Sequence, residues 1–281
     1  MLRGVDVDDR GLIEAGGVRW CVRRWAGVGR PVLALHGFTG RGADFAPLAR
    51  RIPRPWLAPD LPGHGGTVAP PDDAAHAMEA VVHGLAALLD ALGAPMVDVL
   101  GYSLGGRTAL HLALAHPRRV GRMILVGATA GMCDAETRVA RRAADAALAA
   151  RICAEGVPAF LAWWRDTPLI RSQAGIEASA RAEMAAGRRA HTAIGLARAL
   201  RGMGVGAMPA VWDRLCAVTH PILLVTGAAD ARYGALADRL ADGLPDARHV
   251  VLSEAGHCAH LERPDAFAEA ARAHLAISAQ D

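Results

Sequence analysis

Gly101-Tyr102-Ser103-Leu104-Gly105 lies between an apolar run, Met96 to Leu100, and a helix-like stretch, Arg107 to His116. This is G-x-S-x-G between a strand and a helix, the pattern that exposes a serine hydroxyl at the tip of a sharp turn. Neighbours without a Cβ let the backbone pass close to itself there. The helix that follows points unpaired N–H groups at negative charge developing beside Ser103. The stretch Gly101 to Thr108 also nearly fits the phosphate loop G-x-x-x-x-G-K-[ST], with Arg107 at the lysine position. The chain has no lysine, however, and arginine is a poor replacement at a phosphate clamp. Nucleophile or base chemistry at Ser103 is therefore the favoured reading.

A serine hydroxyl becomes reactive when a histidine takes its proton and a carboxylate orients that histidine. Both partners are expected in loops that follow later strands. Asp230 ends Thr226-Gly227-Ala228-Ala229-Asp230 after the apolar run Ile222–Val225. His257 ends Ser253-Glu254-Ala255-Gly256-His257 after His249–Leu252. Asp238 and Asp242 are weaker choices because they fall inside the next helical pattern. An oxyanion site needs two backbone N–H groups. Leu104, after the serine, supplies one, and Phe38 in His36-Gly37-Phe38 supplies the other. His36 itself reads as structural. His257, Cys258 and His260 are spaced too tightly for an ordinary structural zinc site, so no metal is expected.

Those residues need a scaffold. Strand-length apolar runs recur at Pro31–Leu35, Trp56–Ala58, Met96–Leu100, Met123–Val126, Ile222–Val225 and His249–Leu252, mostly separated by helical patterns. The alternation predicts an α/β fold with a mostly parallel sheet flanked by helices. Val18–Trp25 and Leu12–Glu14 add an antiparallel edge hairpin, and Ala74–Leu92 forms an amphipathic helix stopped by Gly93 and Pro95. From Cys133 to about Leu215 only Ala- and Arg-rich helical pattern appears. The division is then core over 1–131, an all-helical cap over 132–215, and core again over 216–281.

Hydrophobic residues make up 52% of the 281, enough for a large core. A net charge of +3 with dispersed arginines argues against a nucleic-acid partner. Five cysteines without C-x-x-C spacing read as reduced thiols. Met1–Arg10 is Asp-rich and lacks an apolar signal core, and no uninterrupted apolar run approaches a membrane span. A cytoplasmic protein with a small-molecule substrate and no cofactor is expected.

These motifs, in this order, resemble the α/β-hydrolase superfamily, with Asp60-Leu61-Pro62-Gly63-His64-Gly65 as a further match. A narrower resemblance is to the 2-succinyl-6-hydroxy-2,4-cyclohexadiene-1-carboxylate (SHCHC) synthases of menaquinone biosynthesis. It rests on Leu35-His36-Gly37-Phe38-Thr39-Gly40, on Gly101 through Arg107 and on Ala255 through Pro264. Phe160-Leu161-Ala162-Trp163-Trp164 and Leu200 through Gly206 match as well. The resemblance implies the α/β-hydrolase fold and a lyase that eliminates pyruvate from an enolpyruvyl cyclohexene bearing succinyl and carboxylate groups. Ser103, Asp230 and His257 would then act as a base system on a ring proton. It further implies Arg107, Arg141 and Arg188 as partners for the substrate carboxylates, with Tyr102 and Trp163 as pocket aromatics. After Arg188 the chain departs from the family pattern, carrying Arg189-Ala190-His191 where asparagines are frequent. From the residues alone two alternatives stay open: a cofactor-free serine hydrolase of a small ester or carbon–carbon bond, and a small-molecule receptor without turnover.

Overall fold

The computed structural model describes residues 9–276, so most of the Met1–Arg10 segment lies outside the described residues. Eight strands form one sheet in the order β1-β2-β4-β3-β5-β6-β7-β8. They are β1 (Asp9–Ala15), β2 (Val18–Trp25), β3 (Val32–Leu35), β4 (Trp56–Pro59), β5 (Val97–Tyr102), β6 (Val120–Val126), β7 (Ile222–Gly227) and β8 (Ala247–Leu252). β1 and β2 pair antiparallel around Gly16-Gly17, both at positive φ, as a tight hairpin turn requires. β2 also runs antiparallel to β4, and the remaining pairs are parallel.

Strand side chains alternate between two cores, the expected result when both faces are covered. Leu33, Leu35, Val97, Val99, Ile222 and Leu224 face one core, with Val81, Leu85 and Leu88 of the helix Met78–Ala91 and Leu110 of the helix Leu104–Ala115. Val32, Ala34, Leu100, Leu223 and Val225 face the other, with Phe45, Leu48 and Phe267 and Leu275 of the helix Pro264–Leu275. The helix expected over Ala74–Leu92 begins only at Met78, behind a single 3-10 turn at Ala74–His76. The helix expected from Arg107 starts at Leu104, immediately after the serine.

Between β6 and β7 the described elements are helical: Ala135–Trp164, Pro168–Arg171, Ala178–Arg189, Ala193–Met203 and 3-10 turns at Ser172–Gly175 and Trp212–Ala217. The first is two helices joined at Gly156, whose φ of 81° leaves the helical region just before Pro158. Ile152, Val157 and Phe160 pack on Leu196 and Leu200 to give these helices a small core of their own. Ala135–Trp164 is also the one helix among the described residues long and apolar enough, by length and composition alone, to cross a membrane. It is not an uninterrupted apolar run, because charged residues interrupt it from Glu136 to Glu155, and alanine, a small residue, supplies the hydropathy. The helix is broken at Gly156 and packs on Ala193–Met203.

Candidate active site

β5 delivers Ser103 to the turn in a strained conformation, φ 52° and ψ −106°. The Ser103 N–H donates to Val126 O at 2.8 Å, tying the turn to the end of β6. The turn closes only because Gly105 has no side chain: a Cβ there would stand 1.9 Å from Leu35 O. Such backbone strain persists where the surroundings over-determine it, and it is frequent where a side chain must be presented.

The His257 imidazole completes a line across the sheet ends. Its Nε2 lies 3.0 Å from Ser103 Oγ, and its Nδ1 lies 2.7 Å from Asp230 Oδ2. Asp230 sits between β7 and the helix Ala231–Gly243, where its other oxygen accepts from the Tyr233 N–H at 3.4 Å. The carboxylate fixes the tautomer, with the proton on Nδ1 and a lone pair on Nε2 facing the hydroxyl. His257 is 4% exposed and is flanked by the rings of Tyr102 and Tyr233. Gly127 makes room for it, since a Cβ there would meet the imidazole at 2.7 Å. This geometry can withdraw a proton from Ser103 and hold the resulting imidazolium against a carboxylate.

Leu104 opens its helix, so its N–H has no intrahelical acceptor and is free to face an oxyanion. The Phe38 loop is held from below by histidines. His36 Nδ1–H donates to Gly37 O at 2.8 Å while its Nε2 accepts from Leu61 N–H at 2.9 Å. The His64 ring stands edge-on to His36 and to Phe38. His191, from the helical insertion, donates through Nε2 to Thr39 O at 2.8 Å and accepts through Nδ1 from Gly65 N–H at 3.0 Å. Each of His36 and His191 is satisfied as the neutral form. Burial lowers the pKa of His36 from 6.5 to about 4 and also pulls down those of His64 and His191.

A pH prediction follows from these depressed values. The unfolded histidines take up protons near 6.5, while folded His36 resists until about 4, so their contribution is intact above 6.5 and is lost as the pH falls through that window. Asp44 acts in the opposite sense, because burial raises its pKa to about 6, but it is outnumbered by His36, His64 and His191. The thermal midpoint should therefore fall between about pH 7 and about pH 5, before ordinary carboxylates titrate. A flat midpoint across that range would contradict the neutral histidine cluster.

The profile of the alpha/beta hydrolase family matches residues 32–270. The chain belongs to the alpha/beta hydrolase family. A Bacillus subtilis (strain 168) protein, provisionally assigned as a 2-succinyl-6-hydroxy-2,4-cyclohexadiene-1-carboxylate synthase, is 34% identical over 258 residues, 91% of this chain and 94% of its own. The synthase of that name from Serratia proteamaculans (strain 568) is 32% identical over 243 residues, covering 86% of this chain and 91% of that one. The solved structure of MenH from S. aureus superposes with a TM-score of 0.85 at 25% identity, covering 90% of this chain and 97% of that one.

Within this alpha/beta hydrolase a cavity of about 1150 Å³ opens over Ser103, His257 and Asp230, walled by Phe38, Leu104 and Tyr102 below and by the helical insertion above. Arg107 lines it and is 9% exposed. Its Nη2 donates to Met203 O at 3.2 Å, while its Nε is buried without a partner. Burial, aided by the nearby Arg141, lowers its pKa. A desolvated guanidinium held by a single carbonyl is well suited to receive an anion. Arg141 lines the cavity too, donating through Nε to Asp145 Oδ1 at 2.8 Å.

Two expected residues fall elsewhere. Arg188 does not line the cavity; its Nη2 donates to Gln173 Oε1 at 2.6 Å, and the Gln173 amide reaches the Tyr102 hydroxyl at 3.5 Å. It lies in the last turn of the helix Ala178–Arg189 and meets the cavity wall only through Gln173 and Tyr102. Trp163 is 41% exposed and stacks under Arg151 at 5.2 Å, whereas Trp164 lines the cavity and packs on Phe38 at 5.7 Å. Adjacent helical residues point about 100° apart, so only one of the pair can face inward. The cavity also gathers Tyr233, Arg232 and Arg239, the last stacked on Trp212 at 3.9 Å. Their spacing after Asp230 on one helix was the available signal, obscured by the abundance of arginine. Among the described residues no cluster of histidine, cysteine and carboxylate converges as a metal site.

Proposed function

We propose that the chain is a 2-succinyl-6-hydroxy-2,4-cyclohexadiene-1-carboxylate synthase, a carbon–oxygen lyase of menaquinone biosynthesis that releases pyruvate from an enolpyruvyl, succinyl-bearing cyclohexene carboxylate. The observation that carries this is the pairing of Ser103 and His257 with a cavity whose wall holds a buried, nearly unpartnered Arg107 and the half-exposed Arg141. A small neutral ester has no use for such guanidinium groups, whose burial is costly, whereas a substrate with three carboxylates does. The names of the relatives support the same reading.

Catalysis then proceeds by proton transfer. Ser103 Oγ takes a ring proton as its own proton passes to His257 Nε2, and Asp230 stabilises the imidazolium. Negative charge developing on substrate oxygen is met by the N–H groups of Phe38 and Leu104. The ring C–O bond to the enolpyruvyl group breaks, and His257 returns the proton as pyruvate leaves. Tyr102, Tyr233 and Trp164 wall the ring, and Arg107 and Arg141 orient its carboxylates. In this reading 132–215 is the cap, set on the core formed by 1–131 and 216–281. All five cysteines are free thiols, which supports a reducing, cytoplasmic setting.

The serine-hydrolase alternative draws on the same Ser103 and the same pair of N–H groups. The two readings separate on the covalent state of Ser103. With the enolpyruvyl substrate, pyruvate should appear linearly without a burst, and rapidly quenched enzyme should show an unmodified Ser103 by mass spectrometry. An acyl-Ser103 species trapped during turnover of that substrate would overturn the lyase reading in favour of the hydrolase.

A further inference from the structure

The loop that carries His257 is fastened by a carboxylate outside the Ser103–His257–Asp230 line. Cys258 through Glu262 make a single helical turn, with the Glu262 N–H bonded to Cys258 O at 3.0 Å. That turn folds the Glu262 side chain back beneath His257. Its Oε2 accepts from the Gly256 N–H at 2.6 Å and its Oε1 from the Cys258 N–H at 3.1 Å. These are the amides on either side of His257. A third donor, Ser172 Oγ at 2.9 Å, comes from the helical insertion. Glu262 is only 9% exposed. Ser172 occupies the space beside Gly256, where a Cβ would stand 2.3 Å from its hydroxyl.

We propose that Glu262 is a positioning residue for His257, holding the imidazole in register between Ser103 and Asp230 by clamping the backbone on both sides of it. The reasoning is geometric. The imidazole must satisfy a 3.0 Å contact on one edge and a 2.7 Å contact on the other at once. Its position is fixed by the backbone around it, where the N–H groups of the residues before and after it, Gly256 and Cys258, both donate to one anion. Charge-assisted bonds of this kind are short and directional, so they resist the loop rotations that would open either contact. Neutral glutamine presents one oxygen, and its NH₂ turns toward an N–H that it cannot satisfy. A displacement of about 1 Å in a reacting group is enough to cost on the order of 10²-fold in rate. Because Ser172 shares the carboxylate, the seat of the helical insertion is joined to the same clamp.

The inference rests on the reading that Ser103, His257 and Asp230 act as a unit, but not on the identity of the substrate. Glu262→Gln should therefore be assayed in two ways. One is pyruvate release from the enolpyruvyl substrate; the other is the rate at which a fluorophosphonate labels Ser103, which reports activation of the hydroxyl alone. Both kcat and the labelling rate should fall between about 10- and 100-fold, with KM within about twofold of the wild-type value. The low-field proton resonance of the His257–Asp230 hydrogen bond should shift or broaden. Glu262→Asp, which keeps the charge but not the reach to both amides, should fall between, and it carries the same test should Glu262→Gln fail to fold. Wild-type labelling and kcat in these variants would overturn the proposal. So would a lowered thermal midpoint accompanied by an unmoved resonance and unchanged labelling, the result for a residue that only satisfies buried amides. Retained turnover in Ser103→Ala would instead strike the underlying reading and leave the labelling result to be interpreted alone.

Discussion

Ser103→Ala should lower kcat by about 10³-fold or more, with the protein folded and substrate still bound, because the group that accepts the ring proton is gone. His257→Ala should lose a similar factor, since Nε2 stands 3.0 Å from the Ser103 hydroxyl, placed to take its proton. The double variant should be scarcely worse than either single one, because groups acting as a unit are strongly non-additive. Steady-state pyruvate release measures all three. Near wild-type turnover in Ser103→Ala would mean that the reacting base lies elsewhere in the cavity. Losses that simply multiply in the double variant would mean that Ser103 and His257 act on separate steps.

The line through Ser103, His257 and Asp230 was legible in the sequence because each residue follows a strand-length apolar run, buried in β5 and β7 and at the sheet edge in β8. Strand ends converge at one edge of a parallel sheet, so loop residues far apart in the chain meet there. The hairpin of β1 and β2 was legible as the neighbouring runs Leu12–Glu14 and Val18–Trp25. What remained hidden depends on helical phase and on chain paths that periodicity does not encode. Trp163 and Trp164 are adjacent, and only the phase of their helix settles that Trp164 lines the cavity while Trp163 is 41% exposed. Arg188 matches its expected position in the sequence, yet Gln173 and Tyr102 stand between it and the cavity. With 31 arginines and no lysine, arginine itself carries little positional information. Glu262 was visible only as part of a matching phrase, because its partners are backbone amides and these leave no trace in residue type.

The placement of the arginines makes the second large effect unequal among them. Arg107 is buried, lines the cavity and has an unpartnered Nε, so Arg107→Ala should reduce kcat/KM by about 1.5–3 kcal/mol, the scale of a hydrogen bond to a charged group. Arg141→Ala should fall in the same range, because Arg141 lines the cavity and its Asp145 pairing is through Nε. Arg188→Ala should cost less and act mainly through Tyr102, which would lose its Gln173 contact. Lysine at 107 should rescue only in part, keeping the charge but losing the planar fork that matches a carboxylate. Folding should respond in the opposite direction. Arg107→Met keeps the apolar stem and removes a desolvated cation, so its thermal midpoint should equal or exceed that of the wild type while activity falls. Kinetics with the enolpyruvyl substrate and thermal unfolding of the same preparations test both halves. If Arg107→Met lost stability together with activity, Arg107 would be a structural cation, and the cavity would lack the buried charge that a carboxylate-rich substrate requires.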